Sequence, residues 1–136
     1  MSEAKTTAGE EDLVRVASLA RQRAYSPYSK HRVGAALRTQ RGKVSAAANV
    51  ENASYGLTVC AERNAVFAAV NAGDKGFEAL AVVADDAPRP CGACLQVLAE
   101  FCAPELRIVL ASTAGAREVV TLADLLPRPF TLGGRT

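Results

Sequence analysis

Three cysteines and one glutamate constrain this chain more than anything else in it. Cys60-Ala61-Glu62 is followed about thirty residues later by Pro90-Cys91-Gly92-Ala93-Cys94. Both halves fall at the start of a predicted helix, one over residues 60–70 and one over 92–101. Free N–H groups and the positive dipole end at a helix N-terminus stabilise thiolates, the ligating form of cysteine. A Cys-x-x-Cys pair can grip one metal ion from a single turn, and a third cysteine from another helix completes a three-thiolate shell. For zinc this leaves one tetrahedral position open to water. The two helix starts must then meet at one point.

Glu62 lies in the first turn of its helix, beside the ligands without being one. A carboxylate there can take a proton from an activated water and return it to a leaving group. Three thiolates against Zn2+ leave a net charge of −1, and Arg63 is the cation placed to offset it by donating to the sulfurs of Cys60 and Cys91. The plainer readings are a fragment of a structural zinc site or a redox pair. Structural zinc wants four protein ligands, and the remaining cysteine, Cys102, lies two helical turns past Cys94, roughly 12 Å along the axis. Cys102 reads as a small core residue.

The rest of the pattern gives the architecture. Residues 1–8 are small and polar and read as a disordered N-terminus, and 9–136 as one domain. Helical spacing of Leu13, Val16, Ala17, Leu19 and Ala20 begins at about Glu11, and Ser26-Pro27 stops it. Strands are predicted over 33–38 and 44–50, joined by an Arg41-Gly42-Lys43 turn into a hairpin. Further strands are expected over 77–84 and 106–111, with room for another after them. A short helix over 121–126 is opened by Thr121 and stopped by Pro127. Strands alternating with helices after a hairpin imply an α/β domain of three layers, α/β/α, around a mixed sheet of about five strands.

Composition removes several classes. Sixteen basic against fourteen acidic residues, with no basic run, give no footprint for nucleic acid. No apolar run approaches the roughly 18 residues that span a bilayer, and the polar N-terminus lacks the apolar stretch of a secretory signal. Four cysteines in such a chain point to metal or core packing, and to the cytoplasm.

Tyr25-Ser26-Pro27-Tyr28-Ser29-Lys30, Val33-Gly34-Ala35-Ala36-Leu37, Asn49-Val50-Glu51-Asn52-Ala53-Ser54-Tyr55-Gly56, Cys60-Ala61-Glu62-Arg63, Pro90-Cys91-Gly92-Ala93-Cys94 and Leu125-Leu126-Pro127 with Phe130 resemble the small homotetrameric zinc-dependent cytidine deaminases. The resemblance runs from about residue 11 to 130. It implies one Zn2+ per subunit on Cys60, Cys91 and Cys94, proton transfer by Glu62, attack of activated water on C4 of cytosine, and release of ammonia. It also implies that Asn49 and Glu51 bind the ribose 3′-hydroxyl, that the backbone of Ala61 and Cys91 reads the pyrimidine edge, and that Phe130 stacks on the base of a neighbouring subunit's site. Asn49 and Glu51, two apart on a strand, would share one face; a solvated strand end is their plainer reading, and core packing that of Phe130.

Two positions depart from the family pattern. Leu95 stands where an arginine usually follows the second Cys of Cys-x-x-Cys. His31 stands where a phenylalanine usually lines the nucleoside pocket. Leu95 leaves Arg63 as the obvious cation at the metal, so turnover of cytidine should be slower than the family norm. His31 is either a surface residue or a polar pocket wall. The leading function is deamination of cytidine and 2′-deoxycytidine in pyrimidine salvage. The alternatives are a deaminase of a modified aminopyrimidine nucleoside, like the blasticidin-S deaminases, a polynucleotide deaminase, or a non-enzymatic zinc protein.

Overall fold

The computed structural model describes residues 5–87 and 89–133. Helix α1 spans Ala8–Arg21, β1 Gly34–Thr39, β2 Val44–Ala48, α2 Ala61–Asn71, β3 Phe77–Ala84, α3 Gly92–Phe101, β4 Arg107–Ser112, β5 Arg117–Thr121 and α4 Leu122–Leu125. A single turn of 3-10 helix at Tyr55–Leu57, not expected from the sequence, precedes α2. The five strands order as β2-β1-β3-β4-β5. Within this sheet β3 and β4 run parallel, connected through α3, and the other neighbouring strands are antiparallel.

Both faces of the sheet are covered. On one, Leu13, Val14 and Ala17 of α1 pack against Ala36, Ala79, Ala81, Val83 and Val109. On the other, Ala61, Ala65 and Val66 of α2 and Leu95 and Leu98 of α3 close over Leu37, Leu80, Val82, Ile108 and Leu110. Alternate residues of β1, β3 and β4 therefore serve different layers, as the period of two requires. The three-layer α/β/α arrangement with a mixed five-stranded sheet is thus present. Many contact residues are alanine, so the helices can lie close to the sheet. At Gly34 a Cβ would stand 2.0 Å from the Ala17 carbonyl oxygen and 2.6 Å from the Arg21 nitrogen. Only glycine lets α1 approach there.

Several boundaries moved. The first helix begins at Ala8 rather than near Glu11, because Thr7 caps it: the Glu10 N–H donates to Thr7 Oγ1, and the Glu10 carboxylate accepts from the Thr7 N–H. This reciprocal capping box orders Thr7 and Ala8, which the sequence reading had assigned to a disordered 1–8; residues 1–4 lie outside the described residues. The helix also ends at Arg21, ahead of Ser26-Pro27. The second strand stops at Ala48, two residues short of the expected end, since beyond it Val50 leaves the sheet to pair with Tyr25 and Val59. The Arg41-Gly42-Lys43 turn holds, with Gly42 at φ 84°. Thr121 caps α4 through a second capping box with Asp124.

Candidate active site

Cys60 is the N-cap of α2 and Cys91 the N-cap of α3. Cys91 does the work of a capping side chain: its sulfur accepts from the Cys94 N–H at 3.5 Å. Cys60 Sγ lies 3.8 Å from Cys91 Sγ, which lies 3.4 Å from Cys94 Sγ, and all three sulfurs fall within 4.8 Å of one another. Tetrahedral ligands at a Zn–S distance of about 2.3 Å stand about 3.8 Å apart. The Cys60–Cys91 and Cys91–Cys94 pairs therefore stand near the spacing zinc requires.

The charge of the cluster gathers on Cys60. Its thiol is pulled down to about 5, first by a hydrogen bond with Cys94 and further by Arg63 and Cys91. Cys94 is pushed up, chiefly by that same pairing with Cys60 and then by burial. Arg63 Nη2 donates to Cys60 Sγ at 3.4 Å and to the Thr58 carbonyl at 3.4 Å. The expected reach of Arg63 to Cys91 does not occur; its sulfur partner is Cys60. Cys94 is the buried cysteine of the cluster and Cys91 the exposed one. Arg63 Nε is buried with no hydrogen-bond partner.

Glu62 sits at the second position of α2 and is only 5 % exposed. Burial, helped by the negative charge of Cys60, pushes its carboxyl up to about 7. A carboxyl that titrates near neutrality suits a group that must both take and give a proton.

One cavity of about 360 Å³ opens onto this arrangement. Cys60, Ala61, Glu62 and Cys91 line it together with His31, Asn49 and Glu51. His31 is thus a pocket wall. Asn49 and Glu51 are both buried while Val50 between them is half exposed, so the two share a face as expected. Their side chains are already engaged, however. Asn49 Oδ1 accepts from the Val33 N–H at 3.0 Å and Nδ2 donates to the His31 carbonyl at 2.8 Å. Glu51 accepts from the N–H groups of Tyr28 and Ser29 and from the Ser29 hydroxyl. Burial opposes ionisation of Glu51, but the donors from Ser29 and Tyr28 outweigh it and hold the carboxyl below the usual range.

Other expected residues stand apart. Leu95 is buried in the core between α3 and the sheet and does not line the cavity. Phe130 is 67 % exposed, outside the cavity of its own chain, with its carbonyl accepting from Gln96 Nε2 at 2.8 Å. Cys102 packs against the core, and burial pushes its thiol up to about 12. Ser29, Tyr55, Thr58 and Arg89 line the cavity without having been singled out. Ser29 lay within a segment read only as part of a pattern. Arg89 was marked by its place directly before Pro90-Cys91; it pairs with Glu118 of β5 at 2.9 Å.

A family model of the cytidine and deoxycytidylate deaminase zinc-binding region matches residues 7–110. The chain belongs to the cytidine and deoxycytidylate deaminase family. As a member it is a zinc-dependent hydrolase, and the Cys60, Cys91 and Cys94 sulfurs fit the zinc. It is similar to a cytidine deaminase of Halalkalibacterium halodurans, 48 % identical over 121 residues that cover 88 % of this chain and 92 % of that protein. It is also similar to the crystal structure of a cytidine deaminase from Burkholderia pseudomallei, with a TM-score of 0.86 at 47 % identity over 92 % of this chain and 100 % of the other. A blasticidin-S deaminase of Bacillus cereus is less similar, 34 % identical over 113 residues, 76 % of this chain and 79 % of that one. Among the described residues no helix is long and apolar enough to cross a membrane.

Proposed function

We propose that this deaminase converts cytidine and 2′-deoxycytidine to uridine and 2′-deoxyuridine, releasing ammonia, as part of pyrimidine salvage in the cytoplasm. One observation carries the reading: buried Glu62 and two of the three clustered cysteines, Cys60 and Cys91, share a single cavity with the Asn49–Glu51 pair. Zinc held by Cys60, Cys91 and Cys94 would supply the Lewis acidity that makes a water nucleophilic at neutral pH. Glu62 would take a proton from the attacking water and deliver it to the departing amine; a carboxyl pushed up to about 7 can do both. Arg63 sets its positive charge against Cys60, limiting the negative charge that the base must approach. Ala61 and Cys91 line the cavity; their backbone groups would read the pyrimidine edge, and Glu51 would accept from the ribose 3′-hydroxyl.

Replacing Glu62 with Gln separates enzyme from binding protein. Turnover of cytidine should fall by about 10²- to 10⁴-fold while zinc content and circular dichroism stay unchanged; full activity in the variant would refute the role. A panel of cytidine, 2′-deoxycytidine and blasticidin-S tests the substrate, and turnover of the antibiotic alone would overturn the assignment.

The reading includes a homotetramer with sites at subunit boundaries. Exposed Tyr28, Val50, Tyr55, Leu57 and Phe130 offer apolar surface for such contacts, and Phe130, free of its own chain's cavity, is available to a neighbour's base. A monomer in analytical ultracentrifugation would remove that role for Phe130.

A further inference from the structure

We propose that Ser29 is a positioning residue for the substrate's sugar: its hydroxyl locks the Glu51 carboxylate and the pocket wall at His31 into one geometry. This rests on the deaminase reading above.

Three donors converge on Glu51. Oε1 accepts the N–H groups of Tyr28 at 3.0 Å and Ser29 at 3.2 Å, and Oε2 accepts the Ser29 hydroxyl. A hydroxyl has one proton and two lone pairs. Having given its proton to Glu51, Ser29 Oγ uses a lone pair to accept the His31 N–H at 3.0 Å. Between them Lys30 adopts a left-handed backbone, φ 62°, in a turn closed by its N–H donating to the Ser26 carbonyl at 2.9 Å. That turn lets the backbone of residue 31 come back to the side chain of residue 29. Asn49 then holds the far side of the same segment, through the His31 carbonyl and the Val33 N–H. Asn49 and Glu51 are therefore both spent on clamping residues 28–33, and Ser29 is the joint between the clamp and the wall.

A carboxylate offers about four acceptor sites. The protein fills three on Glu51, which leaves one direction for a substrate hydroxyl. Without the Ser29 hydroxyl, Oε2 is free to turn or to take water, and each binding event must reorient it. The loss falls on binding of the sugar and not on chemistry, because the side-chain hydrogen bonds of Ser29 and Glu51 run to each other and to the backbone of residues 28, 29 and 31, and none of them reaches Glu62 or the cysteines. Ser29 is exposed and belongs to neither core cluster, so its replacement leaves the packing intact.

The zinc-loaded wild type, Ser29→Ala and Ser29→Thr should be compared on cytidine and 3′-deoxycytidine. Ser29→Ala should raise KM for cytidine about tenfold, the scale of one hydrogen bond to a charged group, with kcat within about twofold. Ser29→Thr, which restores the hydroxyl, should bring KM back. On 3′-deoxycytidine the alanine variant should match wild type, since the hydroxyl that Glu51 accepts is gone. Calorimetric binding of uridine, the unreacting product, should weaken by the same factor and reads the effect without turnover. An unchanged KM, an equal loss on 3′-deoxycytidine, or a fall in kcat in place of the KM change would overturn the proposal alone. A wild type that turns over no cytidine would overturn the deaminase reading and this inference together.

Discussion

Glu10 ties the N-terminal helix to the sheet, and replacing it with Gln should expose how much that tie is worth. The side chain is 3 % exposed. Arg107 of β4 donates to it twice, Nε to Oε2 at 2.6 Å and Nη2 to Oε1 at 3.1 Å, while the Thr7 N–H donates at 2.9 Å. Gln retains an oxygen for Thr7 but turns an amide NH2 towards a guanidinium that has only donors. Two hydrogen bonds to a charged group carry about 1.5–3 kcal/mol each. Arg107 is 39 % exposed and can recover water, so the net loss should be about 2–3 kcal/mol, below the range for a fully buried pair. At roughly 2.1 cal/mol/K per residue, a chain of this length should lose about 7–10 °C in Tm. The pH dependence is sharper. The Arg107 pairing holds the Glu10 carboxyl below the ordinary carboxylate range, against the opposing effect of burial. A depressed acid contributes its stability in full above the unfolded pKa, about 4.3, and loses it as pH falls through the folded value. Urea titrations of both proteins should therefore show a constant gap above about pH 5.5 that narrows on acidification. A gap under about 0.5 kcal/mol, or one that does not change with pH, would refute the account.

Two further substitutions test other parts of the structure. Gly34→Ala puts a methyl against the α1 backbone, so it should cost about 3 kcal/mol or more, read as a drop in urea midpoint; a neutral result would mean that α1 can lift off β1. Leu95 packs in the core between α3 and the sheet, so Leu95→Arg should bury an unpaired charge and lower the urea midpoint sharply; a variant as stable as wild type would show that the new guanidinium escapes the core.

The elements that sequence located best are those with a boundary signal at each end. The apolar run of 77–84 and the helix of 92–101, opened by Cys91, match β3 and α3 at both ends. The early start of α1 was also written in Thr7-Ala8-Gly9-Glu10, but as a capping pattern, whereas apolar spacing begins only at Leu13. The cluster of Cys60, Cys91 and Cys94 was legible because thiolates three apart and at helix starts have few other uses. The sugar end of the cavity was not legible to the same depth. Spacing put Asn49 and Glu51 on one face, yet nothing in spacing says that an amide will turn to the backbone of residues 31 and 33. Those bonds depend on the left-handed turn at Lys30, a conformation that a lysine does not announce.

The cysteine cluster joins two helices that stand on either side of β3 in the chain, so a zinc ion shared between Cys60 and Cys91 would close a covalent-like loop of about thirty residues around all of α2 and the central strand. In chain-entropy terms, a link of that span removes about 3–4 kcal/mol of disorder from the unfolded ensemble, as a disulfide would. The catalytic ion is then also a fastener, and chelators should loosen the α2–β3 unit as well as stop the reaction.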